Sequence, residues 1–147
     1  CIMVYVYVFL GSEHIIYLDN SATTKPCKGA KENILKAIDE CWGNPSSLHS
    51  VGIDADMLLL DSRRIIAKAL ACDEKEIFFT SGGTESNNIA IFGSAYQHRR
   101  KGNKIITSAI EHPSVHKCFD KLADDGFEVV KIPVDSKGLI DLDILEK

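Results

Sequence analysis

Ser81-Gly82-Gly83-Thr84-Glu85-Ser86-Asn87-Asn88, preceded by the apolar run Ile77-Phe78-Phe79-Thr80, is the stretch from which the fold can be read. A short apolar run, two glycines and then a hydroxyl at a helical start describe a strand that turns sharply into a helix. Glycine lets the backbone turn tightly and approach a ligand closely. The free N–H groups and positive end of the helix then favour an anion. On these residues alone, Gly-Gly after a strand is more often just an ordinary turn.

Moving toward the C-terminus, strand and helix patterns alternate. The spacing predicts strands over Ile77–Thr80, Lys104–Thr107 and Phe127–Ile132, with a short fourth over Gly138–Asp141. It predicts helices over Thr84–His98 and Pro113–Asp124, and another from Leu142 onward. Pro113 suits a first helical turn. Val115, Cys118, Phe119 and Leu122 make one apolar face, which assigns Cys118 to the core. The Thr84–His98 helix is apolar on most sides (Ile89, Ala90, Ile91, Phe92, Ala95) and is expected to be largely buried. This βαβαβ order predicts an α/β fold with a mostly parallel sheet flanked by helices. Ligands in such sheets bind beyond the carboxyl ends of strands. Two segments fall there, Ser81–Thr84 and Ser108-Ala109-Ile110-Glu111-His112.

Moving toward the N-terminus, Ile15–Asp19 reads as a brief strand ended by the turn-prone Asn20–Thr24. A helix follows Pro26, with Ala30, Ile34, Ala37, Ile38 and Cys41 on one face, and Gly43-Asn44-Pro45-Ser46-Ser47 breaks it. A longer helix runs from about Val51 to Ala71, with Ala55, Leu58, Leu59, Ser62, Ile65, Ile66, Ala69 and Leu70 inward. Cys1–Leu10 is apolar, too short to span a bilayer, and without a signal peptide's basic start or cleavage site. It reads as an added strand or an extension.

The composition is that of an ordinary globular chain: 147 residues, 45% hydrophobic, 26% charged, net charge −4. The mild acidity argues against a nucleic-acid surface, and Arg99-Arg100-Lys101 reads as a solvated cluster near a helix end. Five cysteines without a C-x-x-C spacing argue against zinc or a redox motif and fit a reducing compartment, the cytoplasm. No metal site is expected.

Known phosphate loops can be set aside. No lysine follows Gly82-Gly83 at the spacing a P-loop needs, and the glycines lack the dinucleotide-binding spacing. What remains is a cup of turn amides plus the Thr84 hydroxyl, suited to a cofactor monophosphate. His112 directly precedes Pro113, which holds it extended. A histidine there could stack on a flat ring or exchange protons near neutral pH. The more ordinary reading is a histidine hydrogen-bonded at a helix start.

Four motifs occur together and in order: Tyr17-Leu18-Asp19-Asn20-Ser21-Ala22-Thr23-Thr24; Gly43-Asn44-Pro45-Ser46-Ser47-Leu48-His49; Phe79-Thr80-Ser81-Gly82-Gly83-Thr84-Glu85-Ser86-Asn87-Asn88; and Ser108-Ala109-Ile110-Glu111-His112-Pro113-Ser114-Val115. Over about Ile15 to Lys147 the chain resembles the first part of a cysteine desulfurase of the NifS/IscS type, in the class-V aminotransferase family. The resemblance implies part of the large domain of a fold-type-I enzyme dependent on pyridoxal 5′-phosphate (PLP). Residues 1–14 are then an apolar extension, and 15–147 the N-terminal portion of the transferase domain, truncated at its C-terminus.

By the same resemblance, Gly83 and Thr84 bind the cofactor phosphate, and His112 stacks on the pyridine ring as a catalytic proton-transfer group. The Asn20–Thr24 loop lies near the substrate. Such enzymes convert L-cysteine to L-alanine and leave a persulfide on an enzyme cysteine, for iron–sulfur clusters and other sulfur-bearing products. Partners implied are a second copy of the chain in a homodimer and sulfur-acceptor or scaffold proteins, with no nucleic acid or membrane. The family's Schiff-base lysine, pyridine-facing aspartate, carboxylate-binding arginine and persulfide cysteine have no motif match here, so the chain alone is expected to be inactive. His116-Lys117 reads as a solvent-facing helix pair and not as the Schiff-base segment. A selenocysteine lyase, a class-V aminotransferase and a non-catalytic α/β domain remain open alternatives.

Overall fold

The computed structural model describes residues 16–145, and the expected extension over 1–14 lies outside them. The chain divides into two compact units, the first ending at Ile77 and the second starting at Phe78.

In the first unit, α1 spans Lys28–Glu40 and α2 spans Ser50–Leu70. The breaker Gly43–Ser47 separates them because its backbone is pressed against the start of α2. A Cβ on Gly43 would lie 2.3 Å from the Val51 carbonyl oxygen, and one on Gly52 would lie 2.5 Å from that of Ser47. The His49 ring caps α2 by accepting a hydrogen bond at Nδ1 from the Gly52 N–H, at 3.3 Å. At the other end Ala71 turns left-handed (φ 54°), and Cys72 N–H returns to Ala67 O. Asp73 and Glu76 then close a single 3-10 turn, Glu74–Glu76, each binding the other's neighbourhood through backbone N–H groups. The Arg63 guanidinium donates to the Ile77 carbonyl.

Two expectations fail in this unit. Ile16–Asp19 forms no strand among the described residues and leads into a turn in which Ala22 N–H donates to Asp19 O. The inner stripe of α2 is only partly covered: Gly52, Ala55 and Ala67 are buried, whereas Leu58, Ile65, Ile66 and Leu70 are exposed. The period correctly marked an apolar face, but no described element lies over most of it.

The second unit contains α3 (Gly83–His98), β1 (Lys104–Ser108), α4 (Pro113–Asp124), β2 (Glu128–Ile132) and the single turn α5 (Leu142–Leu145). β1 and β2 pair in parallel, in register from Lys104↔Glu128 to Ser108↔Ile132, with α4 as the crossover. Gly126, at φ 88°, makes the left-handed turn from α4 into β2, and Phe127 N–H reaches back to Leu122 O. The core is Ala95, Leu122 and Phe127, with Ile91, Phe92 and Ile105 packed around it. Leu122 is 0% exposed and Cys118 2%, so the apolar face read for α4 is its buried face.

Here too the structure corrects the sequence. Ile77–Thr80 is not a strand: Ile77 is extended, but no ladder partner for the segment exists among the described residues. Gly138–Asp141 gives one antiparallel bridge, Val134↔Ile140, in place of a fourth strand. α3 is mostly exposed, with Ala95 its buried residue, because α4 and the sheet cover one side of it. Arg99 is not simply solvated. It donates to Asp125 O at 2.9 Å and lies 4.9 Å over the Phe127 ring. His116 is half-buried, not solvent-facing, and its Nδ1 has no hydrogen-bond partner among the described residues.

Candidate functional site

The candidate site is built from the first turns of two helices in the second unit. α3 begins directly after Gly82, and its first backbone bond runs from Ser86 N–H to Gly82 O at 3.1 Å. The N–H groups of Gly83, Thr84 and Glu85 therefore precede the helical ladder and have no partner within it. Gly82 has no side chain to cap them, and open space surrounds both glycines. Thr84 is exposed, and its hydroxyl makes no hydrogen bond among the described residues; only its carbonyl is used, by the Asn88 amide at 2.7 Å.

Neighbouring side chains fix this turn. Thr80 Oγ1 donates to Gly82 O at 3.2 Å and lies 2.7 Å from Ser86 Oγ. Glu85 turns back on Ser81, accepting from its N–H at 2.6 Å and its hydroxyl at 2.7 Å. The Ser81 backbone bond first, and then its hydroxyl, hold the Glu85 carboxyl below its ordinary value of 4.5. The Ser81 amide is thus occupied, and the cup is left to the amides of α3 and to Thr84.

α4 starts beyond the carboxyl end of β1, where Ser108 Oγ donates to Glu111 Oε1 at 2.8 Å. His112 is its N-cap, extended at φ −61° and ψ 148° as the following proline requires. Its Nδ1 accepts from Ser114 N–H at 3.1 Å and lies 2.8 Å from Ser114 Oγ. Ser114 Oγ in turn accepts from Asn87 Nδ2 of α3 at 2.8 Å. One hydrogen-bonded chain therefore joins the helix carrying Gly83 and Thr84 to the helix capped by His112. Thr80, Ser86, Asn87 and Ser114 stand in the quoted motifs, but sequence reasoning gives them no role of their own, since the Asn87–Ser114 bond joins residues 27 apart.

Asn20–Thr24 belongs to the first unit, where Asn20 Nδ2 donates to Tyr17 O and Thr24 Oγ1 to Asn20 O. Burial raises the Cys118 thiol above its ordinary value of 9.0, and the thiol contacts Ser114 O at 3.1 Å, an inert setting. No cluster of metal-ligating side chains occurs among the described residues. An open cavity of about 410 Å³ near the carboxyl end of β1 is lined by Ser108, Glu111, Val115 and Phe119 among others, and includes neither Thr84 nor His112.

Comparison with known proteins adds an independent line. The model of the family described as aminotransferase class-V matches residues 16–147. A NifS/IcsS protein homolog of Lactobacillus delbrueckii subsp. bulgaricus is 49% identical over 126 residues, covering 86% of this chain and 33% of that protein. The cysteine desulfurase IscS of Methanosarcina thermophila is 45% identical over 130 residues, covering 88% and 32%. The cysteine desulfurase NifS of Azotobacter vinelandii is 43% identical over 129 residues, covering 87% and 32%. Among solved structures, a NifS-like protein superposes with a TM-score of 0.79 at 38% identity, over 86% of this chain and 35% of that one. A structure of SspA in complex with cysteine gives 0.75 at 34% identity, over 86% and 36%. The chain spans about a third of the length of these relatives.

Proposed function

The chain belongs to the aminotransferase class-V family, and from that premise we propose that it forms the cofactor-phosphate half of a PLP-dependent cysteine desulfurase. The family is PLP-dependent in general, and the relatives quoted above include proteins named as cysteine desulfurases. One observation carries the reading at the site. The first turn of α3 offers the N–H groups of Gly83, Thr84 and Glu85 beside a Thr84 hydroxyl with no partner among the described residues. That donor set suits a phosphate monoester at a helix N-terminus. The charged Glu85 in the same turn would repel a dianion, and its two bonds to Ser81 hold it to that residue.

Bound there, PLP supplies an electron sink that weakens bonds at the α-carbon of an amino acid. The chain's own residues bind and orient. Gly83 and Thr84 would anchor the phosphate, and the His112 imidazole would stack on the pyridine ring. With Nδ1 engaged by Ser114, Nε2 is the nitrogen free to hold or move a proton. Residues 15–147 would supply the N-terminal portion of the transferase domain. The substrate would be L-cysteine, in line with the cysteine complex of a structural neighbour. The whole protein would act as a homodimer delivering sulfur to acceptor or scaffold proteins. A cytoplasmic setting is supported by the four described cysteines, all unpaired; no described helix is long and apolar enough to cross a membrane.

Equilibrium dialysis of the chain against PLP and against pyridoxal tests the reading. PLP should bind at least about tenfold more tightly, the contribution of one charge-assisted hydrogen bond or more. Equal affinities would remove the phosphate from the account.

A further inference from the structure

Asn87, Ser114 and His112 form one hydrogen-bonded chain across two helices. A backbone N–H can only donate, so Nδ1 of His112, 3.1 Å from Ser114 N, must present a lone pair. Ser114 Oγ, 2.8 Å from the same nitrogen, accepts from Asn87 Nδ2 and so has its own proton to give to Nδ1. Both contacts therefore oppose a proton on Nδ1 and put it on Nε2. Ser114 is 8% exposed, so water competes little for these bonds.

We propose that Asn87 and Ser114 are positioning residues that lock His112 as its neutral Nε2–H tautomer and fix its ring relative to the first turn of α3. Asn87 stands three residues beyond Thr84 on α3, while Ser114 lies in the first turn of α4. The bond between them thus ties the phosphate anchor and the ring-covering histidine into one hydrogen-bonded unit. The ring is held by a hydrogen bond on one nitrogen while the other faces its task, as second-partner bonds do for functional histidines generally. The lock stands on the geometry alone; its service to PLP rests on the function proposed above.

The sharp variant is Asn87→Asp. A carboxylate at that position would accept a hydrogen bond from the Ser114 hydroxyl, turning an Oγ lone pair toward Nδ1 and favouring a proton there. Nitrogen-15 spectra of the full chain carrying labelled histidine, with the His112 signals identified by His112→Gln, read the tautomer directly. Wild type should show a bare Nδ1 and a protonated Nε2. Asn87→Asp should raise the Nδ1–H population about tenfold, the worth of one hydrogen bond. Ser114→Ala should shift the signals in the same direction, and Ser114→Thr, which keeps the hydroxyl, should restore them. A protonated Nδ1 in wild type, or His112 signals indifferent to Asn87→Asp and Ser114→Ala, would overturn the lock. The wild-type spectrum decides even if a variant fails to fold. Because the spectra need no cofactor, a failure of PLP binding and a failure of the lock are read separately.

Discussion

Replacing Thr84 by valine removes one hydroxyl and little else. Both side chains are β-branched, so helix propensity changes little. Thr84 is exposed and its hydroxyl has no partner among the described residues, so the fold should lose less than about 0.5 kcal/mol. Phosphate binding should respond differently. A hydroxyl donating to a phosphate oxygen is a charge-assisted bond, worth roughly 1.5–3 kcal/mol. At about 1.4 kcal/mol per tenfold, the PLP dissociation constant should rise roughly 10- to 150-fold. Binding should survive, since the N–H groups of Gly83, Thr84 and Glu85 remain. Thr84→Ser, which keeps the hydroxyl, should stay near wild type. Dialysis against PLP, paired with a denaturation curve for each variant, separates binding from folding. Affinity within twofold of wild type for Thr84→Val would refute the role given to the hydroxyl.

Leu122→Ala should destabilise the second unit by about 2–5 kcal/mol, because a fully buried side chain packed on Ala95 and Phe127 leaves a cavity; denaturant titration measures it. Gly52→Ala should destabilise the first unit, since the new Cβ meets the Ser47 and Asn44 carbonyl oxygens at 2.5 and 2.7 Å, and should be read as a lowered melting midpoint. Glu85 bears on pH. Its folded value lies below 4.5, so its stabilising contribution is present above that pH and fades as pH falls through the lowered folded value. Glu85→Gln should therefore flatten the loss of stability on acidification, measured as unfolding midpoints between neutral and acid pH.

How much of this was legible beforehand differs from element to element. α4 was read to the residue, because Pro113 marks its start and the apolar face Val115–Leu122 has a clean helical period. β1 and β2 were found within one residue of their ends. Ile77–Thr80 was misread for a non-local reason: apolar content marks a willing strand, but a strand exists only where a partner hydrogen-bonds it. The exposure of α3 and α2 has a similar origin. Periodicity shows which face seeks cover, and Ile89 and Ile65 remain exposed because no described element lies over them. At the site, glycine spacing and the proline after His112 were visible signals. The bond that joins the two halves was not, since Asn87 and Ser114 are ordinary polar residues until the fold brings their helices together. His49 was likewise passed over, although it caps α2 much as His112 caps α4.

Backbone amide spectra test, residue by residue, whether the first turn of α3 holds a phosphate. Titrating the nitrogen-15-labelled chain with PLP should move the amide signals of Gly83, Thr84 and Glu85 first and furthest, while pyridoxal without its phosphate should leave them in place. Shifts confined to other residues, or the same shifts with pyridoxal, would contradict the account.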